Sequence, residues 1–577
     1  MTRGKLFSAY KILIIMLVWG VNSQASILDL KVTEIMYHPN PGVGQDEKEL
    51  EFIEFKNTGT DTLNLNSVVL YGAVQYIFST DLIVPPDTFV LLVSDSNAFH
   101  QRFPGVKVDG QYTSNFANSG EQLYVKAGSD VFIDVKYSDD LPWPILADGA
   151  GYSLVSTVVN PTGNQDNADD WKNSCSIGGS PRADDPACAV FPDVWVNELL
   201  PHTDLPEVDA IEIYNNSSTV ADISDWYLSD SKNNPYKFRI PANTTIPAGG
   251  YYVVDESSFN ANGLGFRFNR SGDEVYLFSS NPLNELTGFV TGWKFEAQYN
   301  GVSFGVYTTS ENEKHFVAQT ESTLGAVNKY PKVGPLVISR INYNPTDGDE
   351  LLFITNIADT TVNLWHHATP DSGWVVSGIN FTFPPGVSLA SGDEILLSTS
   401  SDIVSGLSGT YQTFQYFGQL SNGGEDVAIW RYDRMDTTDL GATFMPRVLM
   451  DMVDYNDKAP WPILADGYGY GLQKDVQAEY GNDPINWKDE AFVWEGIEEA
   501  EAQNIKGFYR DGNFYFENLN KIKGTLEILS LDGKLMVLNQ ISEMHKVINA
   551  EAWSDGVYLY NFKTKKGNIS VKFVKNK

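Results

Sequence analysis

The chain reads as all-β: tandem β-sandwiches followed by a smaller C-terminal β domain. Three observations carry this. Apolar and polar residues alternate in short runs such as Glu51-Phe52-Ile53-Glu54-Phe55, the period-2 pattern of a half-buried strand. Turn signals such as Pro85-Pro86-Asp87, Pro247-Ala248-Gly249-Gly250 and Ala390-Ser391-Gly392-Asp393 punctuate the chain about every 8–12 residues, the spacing of sandwich strands. A set of sequence landmarks also recurs three times. Past residue 25 no long stretch has helical period, and only short helical turns are expected, for example around Ser96–Phe103 before Pro104.

The repeat is plainest in PWPILADG, present at 142–149 and again at 460–467. Copies so far apart imply large homologous units with room for another between them. VTEIMY (32–37) followed by ELEFIEFKNTGTDTLNL, VNELLPHTDLPEVDAIEIYNNSSTVADIS (196–224) and ISRINYNPTDGDELLFITNIADTTVNL (338–364) share one plan. Each has a short apolar strand, a loop, an alternating strand, an Asn-rich turn and another short strand. NSGEQLYV, RSGDEVYLF and NGGEDVAIW follow later in each unit. Units at 27–188, 189–332 and 333–489 result, each roughly one domain long. Fully apolar Phe89-Val90-Leu91-Leu92-Val93 is the strand expected inside a sandwich.

These residues together resemble the lamin-tail domain, an immunoglobulin-like β-sandwich also found as a secreted bacterial module. The resemblance implies three tandem immunoglobulin-like sandwiches. The first unit matches almost throughout. The third has Arg340 where Glu34 stands in the first, and an insertion around RYDRMDTTDLGATFMPRV. The second is divergent, with WKFEAQYNGVSFGVY in place of the PWP segment.

Both ends address export. Arg3, Lys5 and Lys11 precede the apolar run Ile12–Val21, and Ser23-Gln24-Ala25 offers a small-x-small cleavage site, so 1–25 reads as a signal peptide. The run is well short of the ~20 residues needed to span a bilayer, and the mature chain contains no other candidate span. Residues 506–577 contain the hairpins LEILSLDGKLM and GVYLYNFKTKKGNISVKFVKNK and end in lysines. They resemble the type IX secretion sorting domain, although KGFYRDGNFYF stands where that family often opens on Pro-Asn-Pro. The resemblance implies the outer-membrane secretion machinery as a partner, and a secreted or surface-attached destination. Residues 490–505 read as an acidic linker.

Residues 506–577 hold 12 Lys and Arg against 7 Asp and Glu, a net +5, so the chain's −34 leaves −39 on residues 1–505. Charge of that sign disfavours nucleic acid as a partner. No cofactor is expected, except that calcium takes carboxylate and carbonyl oxygens; Asp347, Asp349 and Glu350 are the candidate donors, with Asp46 and Glu47 a second group. The only two cysteines, Cys175 and Cys188, are expected to pair in an exported protein.

No catalytic residue is assigned. The seven His are scattered, and HExxH and P-loop motifs are absent. Gly301-Val302-Ser303-Phe304-Gly305 fits G-x-S-x-G, but the following Val306-Tyr307-Thr308-Thr309 reads as strand where a nucleophile elbow needs a helix. Glu51 and Glu54 differ by an odd number and so face opposite sides of an ideal strand, which gives them solvent-facing or turn-bracing roles rather than acid–base ones. Trp143, Asp148 and Gly149, with Trp461, Asp466 and Gly467, read as repeated structural elements: the indoles pack and Ala-Asp-Gly turns. The alternative for the indoles is an exposed platform for a polysaccharide. The expected function is a non-catalytic surface module for adhesion or spacing, with a glycan, matrix or surface protein as ligand. The alternative is a secreted hydrolase or its accessory subunit, of the nuclease- or phosphatase-associated kind. The chain lacks an extra domain of catalytic size.

Overall fold

The computed structural model describes residues 26–491 and 505–575, apart from 42–44, 164, 264, 346–348, 367–368, 434, 438–442, 511, 519–520, 531–533 and 565–566. The signal peptide (1–25) and residues 492–504 of the acidic linker lie outside the described residues, as does Asp347. The regular structure of the described residues is β-strand, save short 3₁₀ turns and the helices Ser96–Arg102, Glu256–Phe259 and Ser401–Gly406. The first helix forms after Phe89–Val93 because Asp95 caps it, its carboxylate accepting from the Asn97 and Ala98 amides at 2.8 Å.

Two compact units divide the chain. One takes in residues up to Asp193 together with Asp222–Thr245 and Tyr276–Gly292; the other holds Val194–Ala221, Ile246–Val275 and everything from Trp293 onward.

In the first unit a six-stranded sheet runs in the order Trp171–Asn173, Leu154–Ser156, Leu30–Met36, Phe52–Asn57, Phe89–Val93, Gly110–Gln111. Its partner sheet has the order Asp130–Ser138, Gly120–Ala127, Val68–Gly72, Tyr76–Ile77. Val32, Ile53, Phe55, Leu92, Val125 and Val135 belong to the core of this sandwich. Burying each such side chain contributes roughly 1.5–3 kcal/mol. The strand Phe52–Asn57 is buried along its whole length, Glu54 and Lys56 included.

The second unit holds a six-stranded sheet of the same plan: Trp487–Ala491, Tyr470–Lys474, Leu336–Asn342, Leu351–Asn356, Glu394–Ser398, Gln412–Gln415. Its companion has the order Phe381–Thr382, Val375–Val376, Gly424–Tyr432, Arg447–Asn456. The second unit also contains the sheet Tyr251–Asp255, Ala210–Asn215, Val194–Leu200, Phe304–Thr308, Lys314–Ala318 from the middle of the chain. The sheet Phe238–Arg239, Tyr227–Ser229, Gly272–Ser280, Leu286–Glu296 contributes the pairs Tyr227–Phe278 and Leu228–Leu277 to the first unit. At the C-terminal end, Ile505–Arg510, Asn513–Asn518 and His545–Asn549 form a three-stranded sheet beside a four-stranded one. Phe514, Leu526, Tyr560 and Phe562 share its core.

Two local devices recur. The Asn-rich turn is closed by Asn57, Asn215 and Asn356, each donating through Nδ2 to the carbonyl four residues on and to a carbonyl of a later strand: Val84, Ile246 and Leu389. The opening strand of each sandwich carries a β-bulge at the same place, between Val32 and Glu34, Val196 and Glu198, and Ile338 and Arg340. The bulge sets Glu34 opposite Glu54, Glu198 opposite Glu212 and Arg340 opposite Phe353.

Candidate functional site

Glu34 and Glu54 face a cleft of about 300 Å³ in the first sandwich, lined also by Lys172, Ser180, Asp184 and Asp185. Both carboxylates are buried and fully engaged. Glu34 accepts from Ser153 Oγ, from the Ser180 amide at 3.0 Å and from Ser180 Oγ at 3.3 Å. Glu54 accepts from Thr33 Oγ1 at 2.8 Å and from the Arg182 amide. Burial raises the Glu34 pKa to about 7, and burial with the facing Glu34 charge raises that of Glu54. Glu198 and Glu212 repeat the arrangement. Thr323 donates to Glu198 through both amide and hydroxyl at 2.8 Å, and Glu212 accepts from Asn197 Nδ2 at 2.8 Å and from the Gly325 amide. In the third sandwich the pair is replaced by Arg340 over the Phe353 ring, with Arg340 also donating to Glu394 at 2.6 Å.

Every oxygen of the two pairs accepts a hydrogen bond, one of Glu54 from the strand residue Thr33, one of Glu212 from the strand residue Asn197, and the others from loop amides and hydroxyls. The arrangement is a brace that ties the last loop of the sandwich to its central strands. Glu51 does similar work on another loop, accepting from the Phe116 amide at 3.0 Å and from Asn115 Nδ2 at 3.2 Å, with its pKa pushed up to about 7 by burial. Glu51 and Glu54 thus serve different loops, and neither faces solvent. Glu350 occupies the equivalent place in the third sandwich and accepts from Tyr416 Oη at 2.8 Å and the Leu420 amide at 2.9 Å. Its neighbour Asp349 is half-buried.

The loop that serves Glu34 and Glu54 is itself closed covalently. Cys175 and Cys188 form a disulfide with Cα atoms 4.7 Å apart, and Lys172 Nζ pairs with Asp185 beside it.

The two PWPILADG segments are built alike. Trp143 packs against Trp171 with ring centroids 6.5 Å apart, and Trp461 against Trp487 at 6.1 Å. Trp461 is buried and Trp143 half-buried. Asp148 Oδ1 meets His38 Nδ1 at 2.6 Å, and Asp466 Oδ1 accepts from Asn344 Nδ2 at the same distance. Gly149 and Gly467 follow with φ of +80° and +76°, a conformation open to glycine, and their amides donate to the His38 and Asn344 carbonyls. Gly301 in the divergent middle unit repeats this with φ +76° and a bond to the His202 carbonyl. That is the structural place of the G-x-S-x-G match. Ser303 is fully buried and the strand Phe304–Thr308 follows it, so there is no nucleophile elbow.

The residues just before these glycines form the joints between modules, which sequence reasoning did not find. Ile145, Leu146 and Tyr152 pack with Tyr227, Tyr276, Phe278 and Leu286 of the middle segment. Ala297 bridges to Val448, and it and Tyr299 pack into the core of the third sandwich. Leu464 and Tyr470 pack with Leu559 of the C-terminal domain. The signal available in the sequence was the apolar Ile-Leu pair inside an otherwise turn-forming octapeptide.

A second cleft, of about 370 Å³, is lined by Glu311, Glu313, His315, Asp454, Asn456 and Trp461 among others. His315 Nδ1 meets Tyr480 Oη at 3.1 Å, and burial lowers its pKa.

Sandwich modules are followed in sequence by a basic C-terminal β domain. Residues 189–294 match the Lamin Tail Domain family, and residues 511–576 match the secretion system C-terminal sorting domain. The lamin-tail match falls on the middle unit, the one whose residues depart furthest from the other two. The sorting domain places the chain outside the cell, secreted or attached at the outer surface, and makes the secretion machinery its partner. Among the described residues no helix is long and apolar enough to cross a membrane. No curated protein matches the chain. Solved structures similar to the chain include the following three. One is a DUF4876 family protein from Bacteroides thetaiotaomicron, with 12% identity over 48% of this chain and 93% of that one, TM-score 0.19. Another is a Ca²⁺-stabilised adhesin with which an Antarctic bacterium binds ice, with 10% identity over 91% and 93%, TM-score 0.13. The third is PorZ, a surface component of the type IX secretion system of Porphyromonas gingivalis, with 9% identity over 91% and 84%, TM-score 0.13. Scores this low carry no argument.

Proposed function

We propose that the chain is a non-catalytic surface protein that holds a binding face for adhesion or spacing. The observation that carries this reading is the repeated joint. Within the first unit Ile145, Leu146 and Tyr152, around Gly149, pack on the middle segment; within the second unit Ala297 packs into the third sandwich, and Leu464 and Tyr470, around Gly467, pack on the C-terminal domain. The perturbed carboxylates support it too, because Glu34, Glu54, Glu198 and Glu212 are spent on loop amides and not aimed at a substrate. The cleft beside His315 is the place where a small polar ligand would enter.

The test is a glycan and extracellular-matrix array probed with the purified full chain, run beside chromogenic nuclease and phosphatase assays. Saturable retention of particular glycans or matrix proteins, without turnover, is expected. Turnover of a phosphoester that survives further purification would replace this reading with the hydrolase one.

A further inference from the structure

In the first unit the joint at PWPILADG has a charged half as well as an apolar one. Lys232, from the segment after Tyr227–Ser229, places its ammonium among three aspartates. It pairs with Asp139, with Asp140 at 3.3 Å and with Asp148 at 3.3 Å, and donates to the Asp139 carbonyl at 2.8 Å. Its side chain is only 10% exposed. The apolar half is closed as well, with Ile145 3% exposed.

The third sandwich repeats the socket. Counting back from the shared Pro-Trp-Pro, Asp457 stands where Asp139 does and Lys458 where Asp140 does, and Asp466 is the counterpart of Asp148. Asp457 Oδ1 is buried and accepts no hydrogen bond. The Tyr343 hydroxyl, on a fully buried side chain, has no partner either and lies near Asp466, Asp457 and Asp489; the Tyr37 hydroxyl, near Asp148, Asp139 and Asp140, is likewise without a partner beside the filled socket. Among the described residues no ammonium or guanidinium pairs with Asp457 or Asp466. The apolar half is only partly covered: Leu464 is buried against Leu559, but Ile463 is 50% exposed where its counterpart Ile145 is 3%.

We propose that Asp457 and Asp466 form a docking socket for a primary ammonium, the side chain of a lysine that a partner protein presents beside an apolar surface covering Ile463. The chemistry follows from the occupied copy. An ammonium brings three N–H donors and a compact charge, which suits a pair of carboxylates. Calcium fits less well, since it takes about six to eight oxygens and the exchange of Asp140 for Lys458 removes one carboxylate from the set. The proposal goes beyond the adhesion reading and does not depend on which glycan or matrix protein that reading finds.

n-Butylammonium has the carbon chain and charge of a lysine side chain and serves as the probe. Thermal unfolding of the full chain is followed in n-butylammonium chloride and, at equal ionic strength, in tetramethylammonium chloride, which has no N–H to donate. At about ten times its Kd the primary ammonium should raise the melting of the third sandwich by roughly 3 °C, and tetramethylammonium should not. Asp457→Asn should abolish the response, and Asp466→Asn serves if that variant fails to fold. Lys232→Ala should lower the melting of the first unit and let n-butylammonium restore part of it. Equal shifts with both cations, or a response that survives in Asp457→Asn, would overturn the socket. So would an Asp457-dependent shift produced by calcium but not by n-butylammonium, which would make it a divalent-cation site.

Discussion

The Arg340 guanidinium lies 3.7 Å from the centroid of the Phe353 ring, at the cross-strand position where the first sandwich sets Glu34 against Glu54 and the second sets Glu198 against Glu212. One backbone device, the bulge, therefore carries two chemistries. Where two acids meet, each must be satisfied by amides from a distant loop. Where a cation meets a ring, the guanidinium stacks on Phe353 and donates to the Glu394 carboxylate at 2.6 Å.

The raised carboxylates give the first sandwich a definite pH dependence. Glu34 and Glu51 have folded-state pKa values of about 7 against an ordinary 4.5. The folded state therefore binds more protons than the unfolded state between those values. Their stabilising contribution is complete below about pH 4.5 and is lost as pH rises through about 7. Urea denaturation at pH 5.5 and pH 8 should show the first sandwich weaker at the higher pH, with a smaller difference in Glu51→Gln. A first sandwich that gains stability over this window would contradict the assignment.

Trp461→Ala should destabilise the third sandwich by about 3–5 kcal/mol, because a buried indole packed on Trp487 leaves a cavity. Trp143→Ala should cost less, its side chain being half-buried against Trp171. Denaturation followed by fluorescence measures both. Loss of glycan retention with unchanged stability would instead make these indoles the polysaccharide platform.

Reduction of Cys175–Cys188, which closes a loop with a sequence separation of 13, should weaken the first sandwich by roughly 3 kcal/mol in the chain-entropy account and leave the third unchanged. Mass spectrometry of the exported protein under non-reducing conditions should find no alkylatable thiol. Two free thiols would rule the bridge out.

Deletion of residues 506–577 should leave the sandwiches folded and hold the protein in the periplasm, and that segment should carry a periplasmic reporter outward in a host with type IX secretion. Fractionation and surface proteolysis read both. Normal surface levels of the truncated chain would show that its export does not use this domain.

Much of the fold was legible because its signals are local. Alternation at 51–55, the apolar run 89–93, the recurring Asn turns and the doubled octapeptide each lie within a few residues of chain. What stayed hidden depends on distance along the chain. A glutamate in an alternating strand ordinarily faces water, and nothing near Glu54 reveals that the Arg182 amide, 128 residues on, lets it be buried. The lysine that fills the first socket is likewise 92 residues from Asp140 and lies in a loop with no motif of its own. The bulge that brings Glu34 opposite Glu54 leaves no mark in the hydrophobic pattern, since it shifts register by a single residue.

Ser180 and Arg182, the donors that satisfy Glu34 and Glu54, both lie between Cys175 and Cys188. Where thiols stay reduced, that loop is not closed, and the two acids at the heart of the first sandwich are less firmly held. The oxidising side of the inner membrane is thus where this module acquires its finished edge.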